Sequence, residues 1–133
     1  MKQILVVDDE FDVQVIFEQE FDDEIARGIF SFAFVHSGEE ALTYLRSQAE
    51  SDLILILTDV NMPNMTGFEL LQVIKTERPD RKVVMITAYD DAPNREKAKM
   101  HGAEGFFAKP ISFPSIKDIV MQYSNTIENH TKN

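Results

Sequence analysis

Three carboxylates, a hydroxyl and an amine directly follow short apolar segments of this sequence. They are Asp8 and Asp9 after segment 4–7, Asp59 after 53–57, Thr87 after 83–86 and Lys109 after 106–108. Carboxylates in contact repel, since a like-charged pair about 4 Å apart costs roughly 4 kcal/mol at an effective dielectric constant of about 20. A site built from them must therefore bind a cation, retain a proton or recruit a base. Oxygen ligands alone favour a hard ion, Mg²⁺ before Zn²⁺.

Phosphate chemistry is the first interpretation of such a site, because Mg²⁺ in proteins commonly binds one or two carboxylates together with a phosphate oxygen. Lys109 offers a positive charge and Thr87 a hydroxyl for further phosphate oxygens. Asp59 is then the central candidate for a carboxylate that attacks phosphorus. Each residue alone has an ordinary explanation, such as a helix cap or a surface lysine. Their joint placement favours the functional one.

The elements that must position these side chains alternate along the chain. Strand-like apolar segments lie at 4–7, 29–35, 53–57, 83–86 and 106–108, and helical patterns lie at 11–21, 37–45, 68–74, 93–100 and 111–123. Five continuous apolar strands joined by five helices predict an α/β fold, a doubly wound parallel sheet with helices on both faces. Ligands bind such sheets beyond the carboxyl ends of the strands. We therefore expect the five side chains to meet at one edge of the sheet.

Length and composition exclude several classes of function. The 133 residues suit one domain, expected over 1–124 with a polar tail over 125–133. A net charge of −10 argues against nucleic acid or an anionic membrane as a direct partner. The absence of cysteine excludes disulfides, zinc–thiolate sites and thiol catalysis. The N-terminal apolar run is too short for a signal peptide or a membrane span, so a cytoplasmic location is expected.

On these residues the sequence resembles the receiver domains of two-component response regulators, of the chemotaxis-regulator type. The motifs that carry the resemblance are Asp8-Asp9, Asp59 with Met62-Pro63 and Gly67, Thr87-Ala88 and Lys109-Pro110, within about residues 2–124. The resemblance implies a flavodoxin-like fold with strand order 2-1-3-4-5. It also implies that Asp59 takes a phosphoryl group from a phosphohistidine of a sensor histidine kinase or a histidine phosphotransfer protein. The phosphorylated form would control a downstream protein or a fused output domain.

The resemblance further implies a role for each residue of the metal and phosphate site. Asp9, Asp59 and the backbone carbonyl of Asn61 would bind Mg²⁺ directly, and Asp8 would act through a bound water. Lys109 would neutralise the phosphoryl group, and its peptide bond to the following proline would be cis.

A second set of implied roles concerns the conformational switch. Thr87 would bond to a phosphoryl oxygen and move towards it. Phe106 occupies the position of a switch aromatic that is often tyrosine, so we expect it to respond through packing, without a hydroxyl contact. Asn61 and Tyr89 would set the lifetime of the phosphorylated state. The response would reach a surface formed by the fourth helix, the fifth strand and the fifth helix.

Two other functions stay open at this point. The first is an Asp-nucleophile phosphohydrolase of the haloacid-dehalogenase type, which uses a second carboxylate two residues after the nucleophile. This chain has Asn61 there, and its length leaves no room for a cap domain. The second is a binding module that keeps the fold without the chemistry. The scattered histidines His36, His101 and His130 are interpreted as structural or surface residues, and the alternating Phe30, Phe32 and Phe34 as core.

Overall fold

A single parallel sheet of five strands forms the centre of the protein. The computed structural model describes residues 2–47 and 52–132. The strands are β1 (Gln3–Val7), β2 (Ser31–Val35), β3 (Leu53–Asp59), β4 (Val83–Thr87) and β5 (Gly105–Ala108). Their order across the sheet is β2-β1-β3-β4-β5, and all four neighbouring pairs run parallel. The predicted α/β fold and strand order are confirmed.

Six helices lie in the described part of the chain, one more than the sequence predicted. They are α1 (Asp12–Glu20), α2 (Asp22–Ala26), α3 (Gly38–Ser47), α4 (Gly67–Glu77), α5 (Ala92–Met100) and α6 (Phe113–Lys132). The helix expected over 11–21 corresponds to α1, and the chain leaves helical geometry at Phe21, with φ −113° and ψ 21°. The short helix α2 that follows was not predicted. The Phe21 ring is fully buried at this break. Acidic residues in the first turn of α2 favour the new start.

Local capping explains where α4 and α5 begin. Thr66 and Glu69 form a reciprocal capping box at the start of α4. Asp91 caps α5 by accepting the Asn94 N–H at 2.9 Å, and a proline occupies the first turn. Gly102, with φ +87°, lies just beyond the end of α5, as expected for a glycine stop. These caps fix the two helices that follow β3 and β4.

The core has two layers, one on each face of the sheet. One layer packs β1, β3 and β4 against α3, α4 and α5, and Leu5, Ile56 and Leu71 are fully buried in it. The other lies under α1 and α6 and is rich in phenylalanine. Its ring contacts join Phe17, Phe21, Phe30, Phe32, Phe34 and Phe113. The alternating phenylalanines of β2 therefore belong to the core, as predicted.

The last helix is longer than expected. Residues 125–132 continue α6 in place of the separate polar tail predicted for 125–133, and residue 133 lies outside the described residues. A domain boundary at residue 124 stays a prediction. Among the described residues, no helix combines the length and the apolar character needed to cross a membrane.

Gly67 allows α4 to start directly against the end of β3. A Cβ atom at this position would lie 2.2 Å from the Asp59 carbonyl oxygen and 2.8 Å from the Val60 Cα. The Gly67 N–H donates to the Val60 carbonyl at 2.8 Å. Because the obstructing atoms are backbone, they cannot move aside as a flexible side chain can. The glycine therefore holds the segment after β3 close to the helix that follows it.

We expect Gly67→Ala to lower the free energy of unfolding by about 3 kcal/mol, at the upper end of overpacking effects, because the new methyl group meets backbone atoms. Urea unfolding followed by circular dichroism measures the change. The matched control is Gly38→Ala, because the atoms nearest to its new Cβ would belong to the flexible Met65 side chain, with the sulfur 2.5 Å away. An equal or larger loss in the control would contradict the backbone explanation.

Candidate functional site

Three carboxylates meet at the carboxyl edge of the sheet, where the strand-end rule places them. Asp8, Asp9 and Asp59 each offer an oxygen within 4.8 Å of the others. Their proximity follows from strand register, because Val7 pairs with Thr58 and the next residue of each strand is one of these aspartates. Asp8 is 6% exposed and Asp59 4% exposed, so two of the three charges are largely removed from water.

Lys109 lies among the carboxylates as the balancing charge. Its Nζ is 3.4 Å from Asp8 Oδ2, 3.4 Å from Asp59 Oδ2 and 3.8 Å from Glu10 Oε1. Register again explains the position, since Thr87 of β4 pairs with Ala108 of β5 and Lys109 follows directly. The Lys109–Pro110 peptide is cis, as the resemblance implied.

Backbone amides hold the remaining oxygens of the two buried carboxylates. Asp59 Oδ1 accepts the Asn61 N–H at 3.2 Å, and Asp8 Oδ1 accepts the Glu10 N–H at 2.9 Å. Each aspartate therefore has one oxygen bound to a backbone amide and the other directed at Lys109. This arrangement fixes the orientation of both carboxylates before any ligand enters.

Burial is the main cause that raises the pKa of the two buried carboxyls of the site, Asp8 and Asp59. Burial has the largest effect on Asp59, and with the negative charge of Asp8 it raises the pKa of Asp59 from 3.8 to about 6, although Lys109 and the Asn61 amide oppose the shift. Burial also raises the pKa of Asp8, against the Glu10 amide and Lys109. Burial lowers the pKa of Lys109, but Asp59 and Asp8 outweigh it and the net direction is up. At neutral pH the site therefore holds excess negative charge.

Thr87 is connected to the acceptor loop through Asn61. The Thr87 side chain is fully buried, its hydroxyl donates to Asn61 Oδ1 at 3.3 Å, and it accepts the Tyr89 N–H at 3.0 Å. Asn61 thus touches Asp59 with its backbone and Thr87 with its side chain. Asn61 and Tyr89, which the resemblance linked to the lifetime of the phosphorylated state, therefore both contact Thr87, which it linked to switching.

Phe106 lies apart from the carboxylate cluster, on the face of β5 that packs against the α3–α5 layer. The Arg95 guanidinium carbon of α5 is 6.0 Å from its ring centroid, and Arg95 also pairs with Asp90 in the loop after β4. Because the unpredicted helix α2 shifts the helix numbering by one, the surface expected to carry the output corresponds to α5, β5 and α6 in the structure.

The sequence analysis did not assign the contributions of three residues that shape the site. Glu10 adds a fourth acidic side chain beside Lys109. Its position two residues after Asp8 could have indicated that it lies near the site. His36 contacts the Asp8 carbonyl, which no local pattern indicates because the two residues are 28 positions apart. Gly67 was noted as a motif residue, but its close approach to the Asp59 carbonyl is a property of the folded chain.

The donor set fits a hard divalent cation. The cluster offers carboxylate oxygens in excess over the single positive charge of Lys109, and it has no sulfur or imidazole ligand. Such a set suits Mg²⁺ better than softer metals. A bound divalent cation would remove the repulsion that raises the pKa of Asp59.

A family model for the response regulator receiver domain matches residues 4–121. Among curated proteins, the chain is 30% identical to sporulation initiation phosphotransferase F of Bacillus subtilis over 122 residues, covering 92% of this chain and 93% of that protein. It is 32% identical to the response regulator protein FleR of Pseudomonas aeruginosa over 123 residues, 92% of this chain but 24% of FleR. The chain therefore spans about a quarter of one relative and nearly all of the other.

Solved structures resemble the chain over almost its whole length. The receiver domain protein (CheY-like) of Methanospirillum hungatei shares the fold with a TM-score of 0.83 at 24% identity, covering 98% of both chains. The response regulator TrrA of Thermotoga maritima, solved in complex with Mg²⁺ and BeF, has a TM-score of 0.77 at 28% identity. That comparison covers 92% of this chain and 99% of TrrA.

The raised pKa of Asp59 predicts a stability effect with a definite sign. Between pH 3.8 and about 6 the folded chain holds a proton that the unfolded chain has released. This contribution to stability is complete at pH values below 3.8 and is lost as the pH rises through about 6. Asp59→Asn should therefore raise the free energy of unfolding at pH 7.5, without divalent cations, by up to about 3 kcal/mol.

Urea unfolding of parent and variant at pH 4.5 and 7.5 in a chelator checks this expectation. The gain from Asp59→Asn should shrink at the lower pH. The control is Asp118→Asn, at an exposed position of α6 remote from the site, which should give no comparable gain. A loss of stability in Asp59→Asn at pH 7.5 would contradict the charge-repulsion account.

Proposed function

Because this chain belongs to the response regulator receiver domain family, we propose that it accepts a phosphoryl group on Asp59 and uses the product as a conformational signal. The observation that supports the proposal most directly is the buried Asp59 carboxylate, in contact with Lys109 and grouped with Asp8 and Asp9. Its pKa of about 6 leaves it mostly ionised at neutral pH, and therefore able to act as a nucleophile.

The reaction proposed is transfer from a phosphohistidine to the Asp59 carboxylate. An Asp59 oxygen forms a bond to phosphorus, the P–N bond to the donor imidazole breaks, and the imidazole leaves with the electron pair and takes up a proton. Asp9, Asp59 and the Asn61 backbone carbonyl would hold Mg²⁺, with Asp8 acting through a water. The ion supplies positive charge for the phosphoryl oxygens. Lys109 already lies beside Asp59 and would neutralise further phosphoryl charge.

Thr87 and Phe106 are the proposed switch residues. The Thr87 hydroxyl, now bound to Asn61, would bond to a phosphoryl oxygen and carry the loop after β4 towards the site. That loop contains Asp90, which holds Arg95 over Phe106. The movement would thereby reach the surface of α5, β5 and α6. A downstream protein or a fused output domain would recognise that surface.

The phosphodonor is proposed to be a sensor histidine kinase or a histidine phosphotransfer protein that docks beside the site on α1. Phe11, Val15 and Ile16 are 70%, 55% and 44% exposed there, an unusual concentration of apolar surface on a chain of net charge −10. A groove of about 280 Å³ continues this surface from α1 to Lys109 and the start of α6. A donor seated there would present its phosphohistidine to Asp59.

In this proposal the chain catalyses only its own phosphorylation and dephosphorylation and does not turn over other phosphate esters. Asn61 supports this part, since a phosphohydrolase needs a carboxylic acid there to protonate the leaving group. A cytoplasmic location stays a prediction. The family is one of phosphoryl-accepting signalling modules. We propose the kinase and the target of this chain only as kinds of protein.

We expect a small acyl phosphate donor to label the parent protein on Asp59 only when Mg²⁺ is present. Intact-mass spectrometry with peptide mapping locates the added phosphoryl group. Asp59→Asn should not be labelled, and Asp118→Asn, exposed on α6, should be labelled like the parent. Equal labelling of Asp59→Asn would overturn the assignment. Rapid multiple turnover of phosphomonoesters would favour the hydrolase, and absence of Mg²⁺ binding at millimolar metal would favour a binding module.

The proposed docking surface predicts a selective kinetic defect. Val15→Asp should slow transfer from a phosphorylated histidine donor protein that labels the parent by about tenfold, the effect of losing roughly 1.4 kcal/mol of docking energy. Labelling by the small donor should not change, because Val15 is outside the carboxylate cluster. Met100→Asp is the matched control, since Met100 is 75% exposed but lies on α5. Equal slowing by both substitutions would place the donor elsewhere.

A further inference from the structure

β2 is the strand whose carboxyl end adds no side chain to the carboxylate cluster, and His36 is the residue that follows it. We propose that His36 is a positioning residue, which holds the loop from Asp8 to Phe11 so that its carboxylates face the metal and phosphate site. This inference rests on the proposed function, because it assigns His36 a task in that same site. The inference is based on two contacts of the histidine ring and on the hydrogen bonds that hold the histidine backbone.

The first contact fixes the peptide between the two consecutive aspartates. His36 Nδ1 lies 3.1 Å from the Asp8 carbonyl oxygen. A carbonyl oxygen only accepts, so Nδ1 is the donor in this bond. The Asp8 N–H donates to the Val35 carbonyl at 3.1 Å. The end of β2 therefore binds the backbone of Asp8 on both sides, and this determines the directions in which the Asp8 and Asp9 side chains leave the chain.

The second contact holds the other end of the same loop. The Phe11 ring lies against the His36 ring with centroids 3.9 Å apart and an interplanar angle of 32°. Phe11 is 70% exposed, so the histidine is one of the few surfaces against which it can pack. The His36 imidazole therefore contacts the loop at two residues, Asp8 through a hydrogen bond and Phe11 through ring packing. The segment between these two contacts carries the carboxylates of Asp8 and Asp9.

His36 can act as an anchor because its own backbone is held. Its N–H donates to the Glu40 carboxylate at 3.0 Å, and the Glu40 N–H in turn donates to Ser37 Oγ at 3.0 Å. These bonds close the first turn of α3 onto the end of β2. The imidazole therefore extends from a rigid junction, and its position is set independently of the loop that it holds.

A positioning role predicts that the hydrogen-bond donor matters more than the ring. His36→Phe keeps an aromatic surface for Phe11 but removes the donor to the Asp8 carbonyl. His36→Asn removes the ring but places an amide N–H near the position of Nδ1. A histidine that only fills space would give the opposite order, with phenylalanine the better replacement. The pair of variants separates the two explanations.

The experiment measures the Mg²⁺ dissociation constant by calorimetry, the rate of Asp59 labelling by a small acyl phosphate at saturating Mg²⁺, and the urea midpoint. The proteins are the parent, His36→Phe, His36→Asn and His101→Phe. The last is the matched control, because His101 is also half-buried and bonded through its ring, to Gln72 of α4, and it contacts none of the site residues.

We expect His36→Phe to weaken Mg²⁺ binding by about tenfold, the lower range for loss of a hydrogen bond that orients metal ligands. His36→Asn should stay within about twofold of the parent, which one retained hydrogen bond allows. His101→Phe should bind Mg²⁺ as the parent does. Labelling at saturating Mg²⁺ should be slowed in His36→Phe alone.

Parent-like Mg²⁺ binding by His36→Phe, or binding by His36→Asn as weak as that of His36→Phe, would overturn the inference. If His36→Phe does not fold, Mg²⁺ binding by His36→Asn within about twofold of the parent supports the inference, and binding weakened by about tenfold overturns it. Failure of both variants to fold would also overturn it, because the histidine would then be needed for the fold itself. The proposed function fails by a different result, a parent protein that neither binds Mg²⁺ nor accepts a phosphoryl group on Asp59.

Discussion

The repulsion among carboxylates gathered at one edge of the sheet is the constraint on which the rest of this structure depends. Asp8 and Asp59 are buried beside each other and grouped with Asp9, and Lys109 balances only part of their charge. The raised pKa of Asp59 shows that its charged form is destabilised by burial and by the nearby charge of Asp8. In the proposed function, a divalent cation and a phosphoryl group would use the same charges as a binding site.

The surrounding structure keeps the acidic groups in place despite their repulsion. Gly67 lets α4 start against the Asp59 carbonyl, and backbone amides hold one oxygen of each buried carboxylate. Lys109 follows β5, two strands away from β3, and the His36 ring reaches the acidic loop from the end of β2 on the other side. These supports come from separate elements, so no single segment of the chain can build the site.

Rigidity at the site contrasts with the weak packing of α5. Ala98 is the buried residue of that helix, and the described residues around it are largely exposed. A helix with so little buried apolar area can shift at low energetic cost. Arg95 connects it to Phe106 and to Asp90 in the loop after Thr87. In the proposed function, a change in the firmly held charge cluster would move this weakly packed helix through the loop after β4.

The sequence by itself determined the sheet, its strand order through the family resemblance, and the gathering of Asp8, Asp9, Asp59 and Lys109. It could do so because apolar periodicity is local, and parallel strands bring their carboxyl ends to one edge. The tertiary structure alone revealed the short helix α2 after the buried Phe21, in a segment where the apolar pattern predicts no helix. It also decided the His36 contact with Asp8 and the approach of Gly67 to Asp59. Such contacts join residues distant in the chain, and their distances depend on how whole elements pack, which no local pattern encodes.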